Sequence, residues 1–216
     1  MEFNLKVIGL EEAVEKGFLS RFSPLYTLSK VVGVKWLVWS GEFFLGPAVE
    51  MAELVDILTR NGGSSFLDLF CGTGALSRIA LLNGFSNVTC VDTFAEACRR
   101  NLSDFKGRVR VVECDVFNFD FNGYYEVVVV DPLEELIPRT IREVLPRLDG
   151  RADLVVLWVG PVARKSKAKR FARRVNRLFP GTSVLEFWGS IVCCSPLTDY
   201  GAELMSRIPF ERGNAV

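Results

Sequence analysis

The chain has 216 residues, of which 49% are hydrophobic and 24% charged, with 26 Lys plus Arg matched by 26 Asp plus Glu and no histidine. That length fits one domain with a full core, and the hydrophobic share excludes a disordered chain. A formal net charge of zero excludes a global field that would draw the whole molecule to nucleic acid or membrane, and the absence of histidine excludes hydrolases built on Ser-His-Asp or Cys-His.

The N-terminus, MEFNLKVIGLEEAVEKG, has early acids and no long apolar run, so it does not read as a secretory signal. Residues 1–47 are rich in rings: Phe18, Phe22, Tyr26, Trp36, Trp39, Phe43 and Phe44. Two readings stay open for them, an extra layer packed on the sheet and a lid or substrate-binding face. AVEMAELVDILTR (48–60) predicts an amphipathic helix with Met51, Leu54, Val55 and Leu58 on its apolar stripe, and NGGSS then breaks the chain.

From there strands and helices alternate. SFLDLF (65–70), NVTCVD (87–92), VRVVECD (109–115), YEVVVVD (125–131) and DLVVLWV (153–159) are short, β-branched and almost continuously apolar, as strands covered on both faces are. Helical patterns separate most of them: GALSRIALLNG, AEACRRNLSDF, PRTIREVLPRL and KAKRFARRVNRLF. SVLEFWG and IVCCSP follow almost back to back around a turn near Gly189–Ser190, so they must be antiparallel neighbours. The fold class is α/β: a doubly wound, mostly parallel sheet with helices on both faces, a C-terminal antiparallel hairpin and an N-terminal extension. The most apolar windows are too short and interrupted to span a bilayer. Cys71, Cys90, Cys98, Cys114, Cys193 and Cys194 form no C-x-x-C pair, which is reduced usage rather than a disulfide frame or a zinc site. A cytoplasmic protein without membrane partner or metal is expected.

After the first of these strands comes Gly72-Thr73-Gly74-Ala75-Leu76-Ser77, a Gly-x-Gly turn with Ser77 at the place of a third glycine and no Walker Lys. Acids discriminate among its possible ligands. Asp68 lies near the end of the first strand, and Asp92, Asp115 and Asp131 end the next three. Ligands of open parallel sheets bind at those carboxyl ends. Four carboxylates repel a pyrophosphate and suit a cation, and S-adenosylmethionine carries an ammonium and a sulfonium but no phosphate.

With those residues in place, 65–131 resembles the cofactor half of the class I, Rossmann-fold S-adenosylmethionine-dependent methyltransferases. LDLFCGTG resembles their first motif, CVDTF the second, ECDVF the third and VVVDPL the fourth, within a resemblance that spans about residues 48–195. It implies a seven-stranded sheet with the last strand antiparallel, and S-adenosyl-L-methionine as cofactor. It also implies that Asp68, Gly72 and Gly74, with Phe70 and Cys71 of the same loop, face the methionine part and the ribose. Asp92 would hold the ribose hydroxyls, with Thr93 beside it and Phe94 over the adenine. Asp115 would accept from the adenine amino group and Val116 would contribute backbone.

The fourth motif bears on the acceptor, and Asp131 and Pro132 are the catalytic candidates. Base N-methylases often show Asn/Asp-Pro-Pro-aromatic, with the ring on a flipped base; here Leu133 and Glu134 follow instead. Asp131-Pro132-Leu133-Glu134 also reads as a capped helix start that Pro138 limits to one turn, or as a loop over the crevice. RKSKAKRFARRVNR (164–177) holds eight Lys or Arg, with Ala168, Phe171, Ala172, Val175 and Leu178 on one stripe. It is either a solvated face or an RNA-tracking surface. The expected function is methylation of RNA. The alternatives are a protein (lysine or N-terminal) methyltransferase holding its acceptor with Asp131, Glu134 and Glu135, and a non-catalytic methyltransferase-like binding subunit with 1–47 as its protein interface. The related aminopropyltransferases would need more acids around Asp131.

Overall fold

The structure is a computed structural model that describes residues 5–40, 44–45, 49–187 and 189–209. Phe43 and the ring of Phe44, two of the N-terminal rings named above, lie outside the described residues, as do Ala48 of the expected helix and Trp188 of the expected strand SVLEFWG.

The N-terminal segment forms β1 (Lys6–Gly9), α1 (Leu10–Glu15), α2 (Pro24–Val32), β2 (Trp36–Trp39) and β3 (Phe44–Leu45). The three strands make an antiparallel sheet in the order β1-β2-β3. Helix α2 has strong end signals. Ser23 caps it by accepting from Tyr26 N at 3.1 Å, Pro24 opens its first turn, and Gly33 closes it in the left-handed conformation at φ 74°.

The rest follows as α3 (Val49–Thr59), β4 (Gly63–Leu69), α4 (Ala75–Leu82), β5 (Phe85–Asp92), α5 (Glu96–Asn101), β6 (Val109–Glu113), β7 (Tyr125–Val130), α6 (Ile137–Glu143), β8 (Ala152–Pro161), α7 (Lys165–Leu178), β9 (Ser183–Phe187), β10 (Ser190–Pro196) and α8 (Asp199–Ser206). Its sheet has seven strands in the order β6-β5-β4-β7-β8-β10-β9. The first five are mutually parallel, and β10 runs antiparallel to both β8 and β9. The antiparallel hairpin therefore ends the sheet, with β9 on the edge and the last strand slotted inside it.

The continuous apolar runs are explained by two cores. Val127 and Val129 of β7 face one hydrophobic cluster and Val128 and Val130 the other, and all four are fully buried. Each such side chain contributes about 1.5–3 kcal/mol of burial. Strands β4 and β5 each start two residues before the expected position because they pair from Gly63 and Phe85 onward, where the Phe85 ring packs edge-on against Phe66 at 5.7 Å. Gly63 permits this approach, since a Cβ there would overlap the Phe85 ring and the Glu126 carboxylate.

The N-terminal segment shares the first of these cores. Ile8, Leu10, Val34 and Leu37 are buried in one cluster with Met51, Leu54 and Leu58 of α3. Polar anchors add to the docking: Arg78 of α4 donates from Nε to Val32 O at 2.6 Å and from Nη1 to Asn101 O at 2.7 Å. The Arg100 guanidinium lies 4.6 Å from the Trp36 ring centre. The layer thus rests on helices α3, α4 and α5 rather than on the strands.

Two local expectations need correction. Pro138 does not cut a helix short but sits in the first turn of α6, where its missing N–H costs nothing. Ahead of it, Glu134–Leu136 is a single 3₁₀ turn that starts after Leu133 rather than after Asp131. On α7, Ala168, Phe171, Ala172 and Val175 are buried as expected, whereas Leu178 at the last turn is 40% exposed.

Candidate functional site

The site is built where β4, β5, β6 and β7 end. Backbone geometry starts it. Phe70 N and Cys71 N both donate to Val91 O, at 2.9 and 3.2 Å, and Phe70 takes a left-handed φ of 63°. For a bulky residue that conformation costs on the order of 1–3 kcal/mol. It turns the chain off the sheet, and the Phe70 ring meets Phe117 edge-on at 6.0 Å. The two glycines of the turn serve different ends. Gly72, at φ 50°, has open space where a Cβ would stand. Gly74, at φ 76°, presses on α5 so closely that a Cβ would lie 2.8 Å from Cys98 Sγ.

A cavity of about 350 Å³ opens beside this turn, within the size range of small-molecule sites. Of the residues singled out from sequence, Phe70, Gly72, Asp92, Thr93, Phe94, Asp115, Val116, Asp131 and Pro132 line it. Asp68, Cys71 and Gly74 lie beneath it instead, all three buried. The sequence reading missed Leu5, just ahead of β1, Val38 of β2, Phe117, Leu136 and Trp158, which also line it. Phe117 follows directly on Asp115-Val116 and had a signal in its position; the others depend on packing.

Each acid has a distinct setting. Asp92 accepts from Gly72 N through Oδ2 and from Phe94 N through Oδ1, both at 2.9 Å, so it orders the turn and the following loop. Burial pushes its carboxyl above the usual carboxylate range, although the backbone donors oppose this. Oδ1 also takes the Thr93 hydroxyl at 3.5 Å, and the carboxylate has capacity for a further donor such as a ligand hydroxyl. Asp115 accepts from Phe117 N at 3.0 Å and caps the turn Val116–Asn118. Asp131 continues from β7 with its N–H on Leu69 O at 3.2 Å. Asp68 is 1% exposed, and its Oδ2 accepts from Ser77 Oγ at 2.6 Å and Ser77 N at 3.2 Å. The departure from a third glycine is thereby explained: Ser77 is the hydrogen-bond partner of this carboxyl. Burial pushes Asp68 well above the usual range, and its Oδ1 has no partner among the described residues. Beneath the turn, the Cys90 thiol donates to Ser77 Oγ at 3.0 Å.

On the far side, Glu134 lines the cavity and receives two cations, Arg164 Nη1 on Oε2 and Lys167 Nζ on Oε1, each at 2.7 Å. Lys167 first and Arg164 second hold its carboxyl below the usual range. The start of the basic helix is thus tied to the cavity wall. Farther along α7, Arg170, Arg173, Arg174 and Arg177 are exposed, and none of the four forms an ion pair among the described residues. No described helix is long and apolar enough to cross a membrane.

The site's donor set fits a cationic nucleoside. Four carboxylates sit among apolar walls, with Glu134 already paired to two cations, an open glycine forms part of the lining, and Asp68 Oδ1 below has no partner among the described residues. Sheet order and site position together define the fold of the class I S-adenosylmethionine-dependent methyltransferases. Solved structures agree. A provisionally assigned RNA methyltransferase from Pyrococcus horikoshii superposes with TM-score 0.52 at 20% identity, covering 82% of this chain and all of that one. Spermidine synthase from Thermotoga maritima superposes with TM-score 0.59 at 12% identity, over 79% of this chain and 68% of that one. Magnesium protoporphyrin IX methyltransferase from Synechocystis, with bound S-adenosylhomocysteine, gives TM-score 0.50 at 16% identity, over 69% and 84%. No family model matches the sequence, and no curated protein matches it either. The names of these three proteins point to RNA, spermidine and magnesium protoporphyrin IX, so the shared fold does not select a substrate.

Proposed function

We propose that the protein is an S-adenosylmethionine-dependent methyltransferase that acts on RNA. Asp92 would hold the ribose, Asp115 and Val116 the adenine edge, and Phe94 and Phe117 its faces. When bound, the cofactor supplies a methyl group already activated on a sulfonium, so the protein has mainly to align the acceptor. A carboxylate beside such a cation gains about 4 kcal/mol at intermediate dielectric. Asp131, in the wall next to Pro132 and Leu133, would take the proton that the acceptor gives up. The observation that carries the RNA reading is the tie between Glu134 and the pair Arg164 and Lys167. A phosphate backbone tracked along α7 would be led to the cavity mouth.

Methyl donor carrying a tritiated methyl group, offered to unmodified total RNA and to total protein, tests this. Label in RNA is expected, and label in protein alone overturns it. A second reading, a methyltransferase-like subunit that supports a partner protein, draws on the N-terminal layer, where Phe22 is 97% and Val31 77% exposed. Purified protein that transfers label without a partner would exclude it.

A further inference from the structure

We propose that Trp158 is the platform on which the acceptor stacks, and that the acceptor is therefore a flat ring, a nucleobase, rather than an aliphatic amine. This rests on the methyltransferase reading above. The acceptor side of the cavity is walled by Asp131, Pro132, Leu133, Glu134, Leu136 and Trp158. Leu133 is aliphatic and Glu134 is occupied by two cations, so neither residue after Pro132 offers a π face. Trp158 offers one from the neighbouring strand. Val130 of β7 pairs with Leu157 of β8, which puts Trp158 level with Asp131.

Three features show a ring set in place rather than a leftover core residue. First, β8 is otherwise buried from Ala152 through Gly160, and Trp158 is the one residue in that run that is partly exposed. Second, its Nε1 donates to Ser190 Oγ at 3.1 Å, and Ser190 is 2% exposed. The indole's polar edge is thereby satisfied and its orientation held, leaving apolar ring surface to the cavity. Third, the pairing with β10 slips at this point. Val192 faces Trp158 and Ile191 faces Gly160, so Val159 is an extra residue. Such a bulge bends a strand and re-aims its side chains, and bulges are frequent beside active sites. Gly160, at φ 133°, supplies the conformation that few side chains adopt.

Charge selects between the two ligands a tryptophan accepts. An indole face also attracts ammonium groups. Here Arg164 and Lys167 stand at the mouth beside Glu134. They oppose a lysine acceptor and favour the phosphate attached to a nucleotide.

The test uses the full chain saturated with S-adenosylhomocysteine. Tryptophan emission is followed while each of the four ribonucleoside 5′-monophosphates, or N-acetyl-lysine amide, is added. Saturable quenching by at least one nucleotide is expected, with little from the lysine amide. Equilibrium dialysis then compares variants. Trp158→Leu should bind that nucleotide about tenfold or more weakly, the usual loss on removing a stacking ring. Trp158→Phe, which keeps a ring, should stay within a few fold, and both should bind S-adenosylhomocysteine as the parent does. No quenching by any nucleotide, quenching by the lysine amide alone, or unchanged nucleotide binding in Trp158→Leu would each overturn the platform. Failure of the parent protein to bind S-adenosylhomocysteine would instead overturn the methyltransferase reading beneath it.

Discussion

The carboxamide of Asn101 holds the backbone of Trp36 from both sides: Oδ1 accepts from Trp36 N at 2.9 Å and Nδ2 donates to Trp36 O at 2.8 Å. The same group accepts from Lys35 N and donates to Thr73 O, both at 2.9 Å. One buried side chain thus joins the N-terminal sheet to the glycine turn, and two residues farther along β2, Val38 lines the cavity. Asn101→Ala would leave buried backbone groups unpaired, at about 1–3 kcal/mol each where water cannot enter. A fall in melting temperature of roughly 5–10 °C is expected for a domain of this size. Binding of S-adenosylhomocysteine should weaken as well. A thermal scan and calorimetry on one preparation check both.

Asp92 carries the second prediction. Its carboxylate positions Gly72 and Phe94 and would receive the ribose. Asp92→Ala removes charge-assisted bonds of about 1.5–3 kcal/mol each, so S-adenosylhomocysteine affinity should fall roughly a hundredfold or more. Titration calorimetry reads this directly, and parent-like affinity in the variant would remove Asp92 from the cofactor site.

The two glycines of the turn should separate stability from binding. Gly74→Ala brings a methyl group to 2.8 Å from Cys98 Sγ and keeps a positive φ, so it should lower the urea midpoint clearly. Adding Cys98→Ala should restore part of the loss and leave the backbone share of about 1 kcal/mol. Gly72→Ala meets nothing within 4 Å. It keeps a positive φ of 50°, so it should lose only the backbone share of about 1 kcal/mol and yet bind S-adenosylhomocysteine more weakly, because its methyl group stands beside the cavity.

The pH dependence of stability has a definite sign. Asp68 and Asp92 both have carboxyls raised by burial, so the folded state holds their protons more tightly than the unfolded chain does. Their contribution is full below the unfolded value near 3.8 and is lost as pH climbs through the raised folded value. Asp68→Asn keeps an acceptor for Ser77 and cannot ionise. Urea midpoints measured from about pH 4 to pH 8 should fall less steeply in this variant; an unchanged slope would mean that Asp68 titrates normally.

On α7, replacing Arg170, Arg173 and Arg174 by Gln should weaken RNA binding across sequences. It should also reduce the slope of log affinity against log salt by roughly two, if all three contact phosphates of a single strand. The three residues are exposed on the face opposite Ala168, Phe171 and Val175, so melting temperature should hold. An unchanged salt slope would make this face ordinary surface.

Much of this was written in local chemistry. Runs such as YEVVVVD name a strand buried on both faces, because only such a strand excludes polar residues from both parities. Asp92 and Asp115 stand at strand ends that the sequence itself marks, and the sheet's parallel order brings those ends to one side, so the cavity wall beside the glycine turn was legible residue by residue. The opposite wall was not. Trp158 belongs to it through the β7–β8 register and a bulge opposite β10, and Val38 through the Asn101 clasp across 65 positions of chain. Ser77 likewise departs from the glycine pattern for a partner, Asp68, on the preceding strand. By itself, then, the sequence determined the strand pattern, the glycine turn and the acids that suit a cationic nucleoside, since these depend on side-chain period and on neighbours a few residues apart. Only the tertiary structure decided which further rings and cations stand at the cavity, because strand register and the docking of a separate layer arise from contacts that no local spacing encodes.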